Sequence, residues 1–331
     1  MTTRADAVPT MRAILHPRYG APDVLSFGEI ARPNPGDDDV LVRVHAALAS
    51  VGDHHVVTGK PYVIRLSVPR PRNLPPGTTM AGRVEAVGAN VTAFRAGDEI
   101  YGDARTGAFA EYVVVSPQRI ALKPTNLTFE EAAAAAWGVT ALQALRDAGR
   151  LQPGQRVLIN GASGGVGTWA VQIAKALGAE VTAVCSTRNV AMVRAFGADH
   201  VIDYSHDDFV EGATRFDLVF DTVGNRSMSD CRSVLTPKGT YVSCAGGGSG
   251  MRWLSRIAVG LITQVITGQR HPFFIVKPNQ QDLLVLKELI EAGKARPVIE
   301  RSYMLSEVAT ALRQVGEGRG QGQTVIRVVA S

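Results

Sequence analysis

An α/β fold is predicted, with a strand-rich N-terminal part followed by a doubly wound parallel sheet. Three observations predict it. An apolar run, Arg156-Val157-Leu158-Ile159, enters a glycine turn from Asn160 to Gly167, leaves it as the helical pattern Trp169 to Leu177, and ends on a second apolar run, Glu180 to Val184. That is a βαβ unit. Further on, short apolar strands alternate with helical segments, as the crossovers of a parallel sheet require. Before it, from Met11 to residue 120, short strands are parted by Pro and Gly without a helical period.

Length and composition bound the reading. The 331 residues, 45% hydrophobic and 20% charged, leave room for two domains with a real core and exclude a disordered chain. No apolar stretch is long enough to span a bilayer and no charged-then-apolar leader opens the chain, so a cytoplasmic protein without stable membrane insertion is expected. Cys185, Cys231 and Cys244 lack metal-ligand spacing and read as small buried residues. The net charge of +5 is spread out and accompanied by few aromatics. A phosphate-bearing cofactor explains it more simply than nucleic acid.

Taken in order, residues 1 to 10 read as a polar tail and Met11 to Leu15 as the first ordered segment. Strands follow at Val40 to Ala47, Met80 to Gly88 and Ala110 to Val115, with a Pro- and Arg-rich loop from Tyr62 to Pro76. Thr128-Phe129-Glu130-Glu131 is a helix start, and an alanine-rich helix is predicted from there toward Leu145. After the βαβ unit come strands at Val201 to Asp203, Leu218 to Asp221 and Gly239 to Ser243, with helical segments at 189–196 and 226–235 between them. Gly246 to Gly250 is a loop, and Trp253 to Thr267 an apolar helix expected beside the cleft or at a subunit contact. Helices at 282–292 and 306–316 and a strand at 322–329 close the chain.

The turn Gly161, Gly164, Gly167 is one residue longer at the front than the usual dinucleotide fingerprint, but it stands between strand and helix as that fingerprint must. Glycines let the backbone approach a pyrophosphate, and the N-terminus of the next helix stabilises the charge. After the second strand the sequence runs Cys185-Ser186-Thr187-Arg188. An enzyme selective for NAD carries an acid there to hold the ribose 2′-OH. Hydroxyls and a guanidinium suit a 2′-phosphate instead, so NADPH is the expected cofactor.

With these pieces in place the chain resembles the medium-chain dehydrogenase/reductase superfamily, in its zinc-free quinone oxidoreductase branch, the one that holds the reticulon-interacting oxidoreductases. The resemblance rests on GRVEAVGANVTAFRAGDEIYG from Gly82 to Gly102, AAAAAWGVTALQAL from Ala132 to Leu145, PGQRVLINGASGGVGTWAVQIAKALGA from Pro153 to Ala179, and GADHVIDY from Gly197 to Tyr204. It implies a GroES-like β-barrel catalytic domain (residues 1–137 and 278–331), an inserted Rossmann domain (138–277), and a homodimer. Where zinc-dependent members hold their catalytic metal, this chain has Ser50, Thr78 and Ala136, so no metal is expected. Zinc-free members often carry Asn and Asp at the places of Ser50 and Thr79, and this chain departs from them too.

The resemblance also implies contacts. Ser163, Gly164, Gly165 and Val166 would line the pyrophosphate, Ser186, Thr187, Arg188 and Tyr204 the 2′-phosphate, and Thr140 the nicotinamide. Asp221, Val223, Ala245 and Gly246 would border the cofactor at strand ends, with Asp221 equally suited to a local cap, and Asn279 would close the far side. The reaction implied is direct hydride transfer to a quinone or an α,β-unsaturated carbonyl. Aldehyde or ketone reduction and a non-catalytic NADPH sensor are the alternatives. Proton donors are sought among Asp53, His54, His55 and Tyr62, with solvent able to serve in their place.

Overall fold

The computed structural model describes residues 9–67, 71–244, 268–318 and 320–328. Chain order in the first part is β1 (Thr10–Leu15), β2 (Ser26–Ala31), β3 (Val40–Ala49), α1 (Val51–Thr58), a single turn α2 (Ile64–Ser67), β4 (Thr79–Val87), β5 (Glu99–Asp103), β6 (Tyr112–Val115) and β7 (Ile120–Leu122). Next come α3 (Phe129–Ala135), α4 (Gly138–Gln143), β8 (Arg156–Asn160), α5 (Gly167–Ala176), β9 (Glu180–Cys185), α6 (Val190–Ala195), β10 (His200–Asp203), β11 (Phe216–Asp221), α7 (Met228–Ser233) and β12 (Leu235–Ser243). The last described elements are α8 (Gln280–Glu291), β13 (Ile299–Met304), α9 (Val308–Gly316) and β14 (Gln323–Arg327).

Five strands pair in parallel in the order β10-β9-β8-β11-β12. The chain fills one side of β8 before crossing to the other, which makes a doubly wound sheet. A sixth strand starts and stops: Arg270 bridges Thr240 on the outer edge of β12. Pro272, two residues on, has no N–H to continue the ladder. The other large sheet runs β13-β14-β3-β4-β5-β7, with β6 paired to the first half of β3. The chain's final strand therefore returns to the N-terminal sheet, in register with Ala46 to Ala49.

The two sheets share a core. One cluster runs from Ala46 and Leu48 of β3 through Ala132 to Ala136 to Val157, Ile159 and Phe220 of the parallel sheet. Helix α3 lies between them, capped by Thr128 and Glu131 in a reciprocal box. Its alanines, none with more than 1% exposure from Ala132 to Ala135, let it approach β3, β4 and β14 closely. The single helix predicted from Thr128 to Leu145 is corrected here. It breaks at Ala136-Trp137, restarts as α4 and ends in a π-helical turn at Ala144–Ala148. The reason is Gly138: a Cβ there would come within 3.0 Å of the Trp169 ring, so the glycine admits the tryptophan and loosens the helix. The segments expected at 246–250 and 253–267 lie outside the described residues.

Candidate active site

The order of the parallel sheet reverses at β8, and β8 and β11 run side by side to Asn160 and Asp221. An open parallel sheet leaves a crevice at such a point, beyond the carboxyl ends of its strands. The glycine turn leaves β8 here. Gly161 has φ +84°, and a Cβ on Gly167 would lie 2.1 Å from the Gly161 carbonyl oxygen, so these two glycines serve the tightness of the turn itself. Gly164 differs. A Cβ there would meet nothing nearer than the Gly161 oxygen at 3.5 Å, so this glycine keeps one side of the turn open to an approaching group. Val166 then leads into α5, whose N-terminal end carries the positive end of its dipole.

The turn is also tied to the other sheet. Gly322 N–H donates to the Ser163 carbonyl at 2.9 Å, and Gly164 and Gly322 form a parallel bridge. Trp169 Nε1 donates to Gln323, whose own amide donates to the Ala134 carbonyl at 2.7 Å. The N-terminal sheet thus forms one wall of the crevice.

Ser186, Thr187 and Arg188 follow β9, and Tyr204 follows β10, the neighbouring strand in which Asp203 is paired with Cys185. The structure brings these four positions to one corner. Asn189, 2% exposed, donates its amide to Ser163 Oγ at 2.8 Å and to Ser186 Oγ at 3.2 Å. Thr187 differs from the reading above. Its hydroxyl bonds the Asp203 carboxylate, and this bond, with the Ser205 N–H, holds Asp203 below the usual carboxylate range. Tyr204 presents a ring 62% exposed. Thr140 is buried on α4 and Val223 half exposed beside β11. Ala245 and Gly246 lie outside the described residues.

Of the two roles open to Asp221, the structure displays the cap. Its carboxylate is fully buried; Oδ1 accepts from Asn160 Nδ2 and the N–H groups of Val223 and Gly224, and Oδ2 from the Tyr241 hydroxyl at 2.7 Å. Both oxygens are engaged, and the residue caps the end of β11. Asn279 is likewise a cap. It accepts from Asp282 N–H at the start of α8 and donates to Lys277 O and Asp282 Oδ2, on the wall of a cavity of about 840 Å³ shared with Gln143 and Arg146.

The proton-donor candidates separate. Asp53, 1% exposed, accepts from Ser50 N–H at 2.9 Å, Ser50 Oγ at 2.6 Å and Thr78 Oγ1 at 3.4 Å. It is the third residue of α1 and completes a capping box with Ser50. His54 turns the other way: its Nδ1 lies 3.0 Å from the Leu312 carbonyl and its ring covers Gly316 at the end of α9. Burial, then the neighbouring His54, lowers the pKa of His55, which bonds the Lys60 backbone. Tyr62 is 67% exposed under the Arg65 guanidinium. Of the three positions compared with zinc ligands, Ser50 and Thr78 both bond Asp53, and Ala136 is buried. Among the described residues no cluster of three or more His, Cys, Asp or Glu is placed to hold a metal. Burial pushes the Cys185 thiol up to about 11 and the Cys244 thiol to about 12, so neither supplies a thiolate nucleophile at neutral pH.

Asp53 carries a testable consequence for stability. Burial pushes its carboxyl up to about 6 from 3.8, with Asp103 adding to the rise while the bonds from Ser50 and Thr78 oppose it. The folded chain therefore keeps this proton where the unfolded chain has released it, and stability falls as pH rises through that window. Asp53→Asn removes the ionisation. Its stability relative to wild type should rise between pH 4 and pH 6 by about 3 kcal/mol and stay level above. Urea unfolding at four or five pH values reads it, and a difference that does not change with pH refutes the raised pKa.

Two residues that hold this site were not singled out from the sequence. Asn189 stands where a helix cap belongs, and Asn160 ends an apolar strand; each acts on a partner distant in sequence, Ser163 and Asp221. Only the polar residue at the apolar strand's end was a signal.

The alcohol dehydrogenase GroES-like domain family matches residues 36–125, and the zinc-binding dehydrogenase family residues 196–326. The chain is 33% identical to the mitochondrial NAD(P)H oxidoreductase RTN4IP1 of Homo sapiens, over 99% of this chain and 92% of that protein. It is 32% identical to a 2-methylene-furan-3-one reductase of Solanum lycopersicum, over 99% of this chain and 82% of that one. Among solved structures, the quinone oxidoreductase from Coxiella burnetii superposes with a TM-score of 0.86 at 31% identity, covering 97% of this chain and 100% of its own. With a GroES-like domain joined to a Rossmann sheet, and relatives of this identity along nearly its whole length, the chain belongs to the quinone oxidoreductase branch of the medium-chain dehydrogenase/reductase superfamily.

Proposed function

We propose that this protein is an NADPH-dependent reductase of quinones or α,β-unsaturated carbonyls that works without zinc. The observation that carries the reading is the corner beyond β9. No acid follows that strand; Ser186 and Arg188 stand there, and the carboxylate that ends the neighbouring strand, Asp203, is already bonded by Thr187 and Ser205 N–H. The open side at Gly164 fits a pyrophosphate, and an unpartnered buried oxygen on Asn189 marks the same corner as polar. The relatives named above are named as a 2-methylene-furan-3-one reductase, an NAD(P)H oxidoreductase and a quinone oxidoreductase. On the same reading residues 1–137 and 278–331 form the catalytic domain and 138–277 the cofactor domain.

When bound, the dinucleotide supplies a hydride from its nicotinamide. The chain's task is binding and orientation. The glycine turn and the start of α5 would hold the pyrophosphate, Ser186 and Arg188 would hold the 2′-phosphate, and Thr140 would serve the nicotinamide. Conjugated acceptors need no Lewis acid to take a hydride, because the negative charge spreads over the conjugated system, which suits a site whose three compared positions are Ser, Thr and Ala. On this reading solvent completes the protonation: His54 is engaged with α9, Asp53 with Ser50 and His55 with the Lys60 backbone, and Tyr62 is the side-chain alternative.

The test is cofactor consumption by chelator-treated protein with 1,4-benzoquinone, 9,10-phenanthrenequinone, an alkenal and a simple aldehyde, with NADPH and NADH in parallel. Turnover of a quinone or the alkenal with NADPH, undiminished by chelation, is expected. Turnover of the aldehyde alone would reassign the protein as an aldehyde reductase, and tight NADPH binding without turnover as a non-catalytic sensor.

A further inference from the structure

Asn189 precedes α6 at the position where asparagine most often caps a helix, yet its side chain makes no cap. The amide is turned inward instead. It is 2% exposed and bonds two hydroxyls that belong to different segments: Ser163, in the glycine turn, and Ser186, beyond β9. Backbone bonds hold the three segments in place: Asn189 N–H donates to the Ser186 carbonyl at 2.8 Å, and Gly322 N–H donates to the Ser163 carbonyl at 2.9 Å. Its Oδ1 has no partner.

The sense of these bonds matters. An amide nitrogen has two protons and no lone pair to offer, so both serine oxygens must accept. Among the described residues neither hydroxyl proton has an acceptor, so each is available to donate to a ligand. Turning the amide over would consume both serine protons on Oδ1 and bury two N–H groups without acceptors, a worse state than one under-satisfied carbonyl. Anions bind donors. We propose that Asn189 is a positioning residue that holds the Ser163 and Ser186 hydroxyls within two hydrogen-bond lengths of each other, both aimed as donors, one at the pyrophosphate and the other at the 2′-phosphate. The proposal rests on the NADPH reading for the second of these phosphates, and on the dinucleotide turn alone for the first.

One amide thus joins the part of the site that any nicotinamide dinucleotide uses to the part that distinguishes a 2′-phosphate. Its loss should be felt through the serines and not through the fold. A hydroxyl that accepts one strong bond is also polarised into a better donor for the next, so the two serines gain from Asn189 beyond their placement.

The experiment titrates NADPH and NADH against wild type, Asn189→Ala, Asn189→Asp, Ser186→Ala and the double variant N189A/S186A, following cofactor fluorescence, with thermal unfolding of each protein alongside. Asn189→Asp keeps the shape but has no donor, draws the hydroxyl protons inward and adds a negative charge. It should weaken NADPH at least about tenfold more than NADH. Ser186→Ala should cost NADPH about tenfold alone and far less once Asn189 is alanine, because its donor is then no longer aimed. Independent, multiplicative losses, or an unchanged cofactor preference in Asn189→Asp, overturn the proposal. Should Asn189→Ala fail to fold, the isosteric Asn189→Asp takes its place in the cycle. A wild type that binds both cofactors equally refutes the NADPH reading instead. The same cycle with Ser163→Ala and NADH then decides the positioning role, coupled losses supporting it and independent losses overturning it.

Discussion

Asp221→Ala should destabilise the fold by about 3 kcal/mol, because it removes one acceptor group and leaves four donors, two of them buried and two part-buried, facing the gap. Those donors are Asn160 Nδ2, the N–H groups of Val223 and Gly224, and the Tyr241 hydroxyl. Asp221→Asn is the control. Its oxygen can still accept the three bonds at Oδ1, and the Tyr241 hydroxyl can rotate to accept from the new amide, so the loss should fall to about 1 kcal/mol. Denaturant unfolding of both variants distinguishes a cap from a ligand. An alanine variant as stable as wild type, with cofactor affinity lost, would return Asp221 to the cofactor.

The second large effect is expected at Gly167. Every atom that a Cβ would strike is backbone, with the Gly161 oxygen at 2.1 Å and the Ala162 Cα at 2.7 Å, so no side chain can move aside. Gly167→Ala must open the turn, and a loss of about 3 kcal/mol in stability together with cofactor binding is expected. Gly164→Ala has room and should leave the unfolding midpoint unchanged while still weakening the dinucleotide, since the methyl group enters the open side of the turn. Thermal unfolding and cofactor titration of the pair check this. Equal effects in both assays would show that the two glycines share one role.

The legible parts of the chain were those whose signal is local. The three central strands of the parallel sheet, β8, β9 and β11, are short apolar runs that the sequence displays directly, because both of their faces are covered. Strand β2 was not legible: as an edge strand with an exposed pattern it shows no apolar alternation, and β7 is three residues long. The break at Gly138 depends on Trp169, 31 positions away, which no helical period can report. The site divides in the same way. The glycine turn is written in consecutive residues, whereas the capping of Asp221 by Asn160 and Tyr241, the turning of His54 toward Leu312 and the reach of Asn189 to Ser163 are made by folding. For such residues a chemical type is visible in advance and a direction is not.

The bond from Gly322 to Ser163 has a mechanical meaning. Two sheets that meet across a cleft ordinarily flex about the chain segments that cross between them, and a ligand in the cleft feels that flexing as a change of gap. Here a peptide group of the approach to β14 is bonded to the glycine turn that leaves β8. The bond fixes the gap at that point. Motion of one sheet against the other is therefore most restrained beside Ser163 and less so with distance from it.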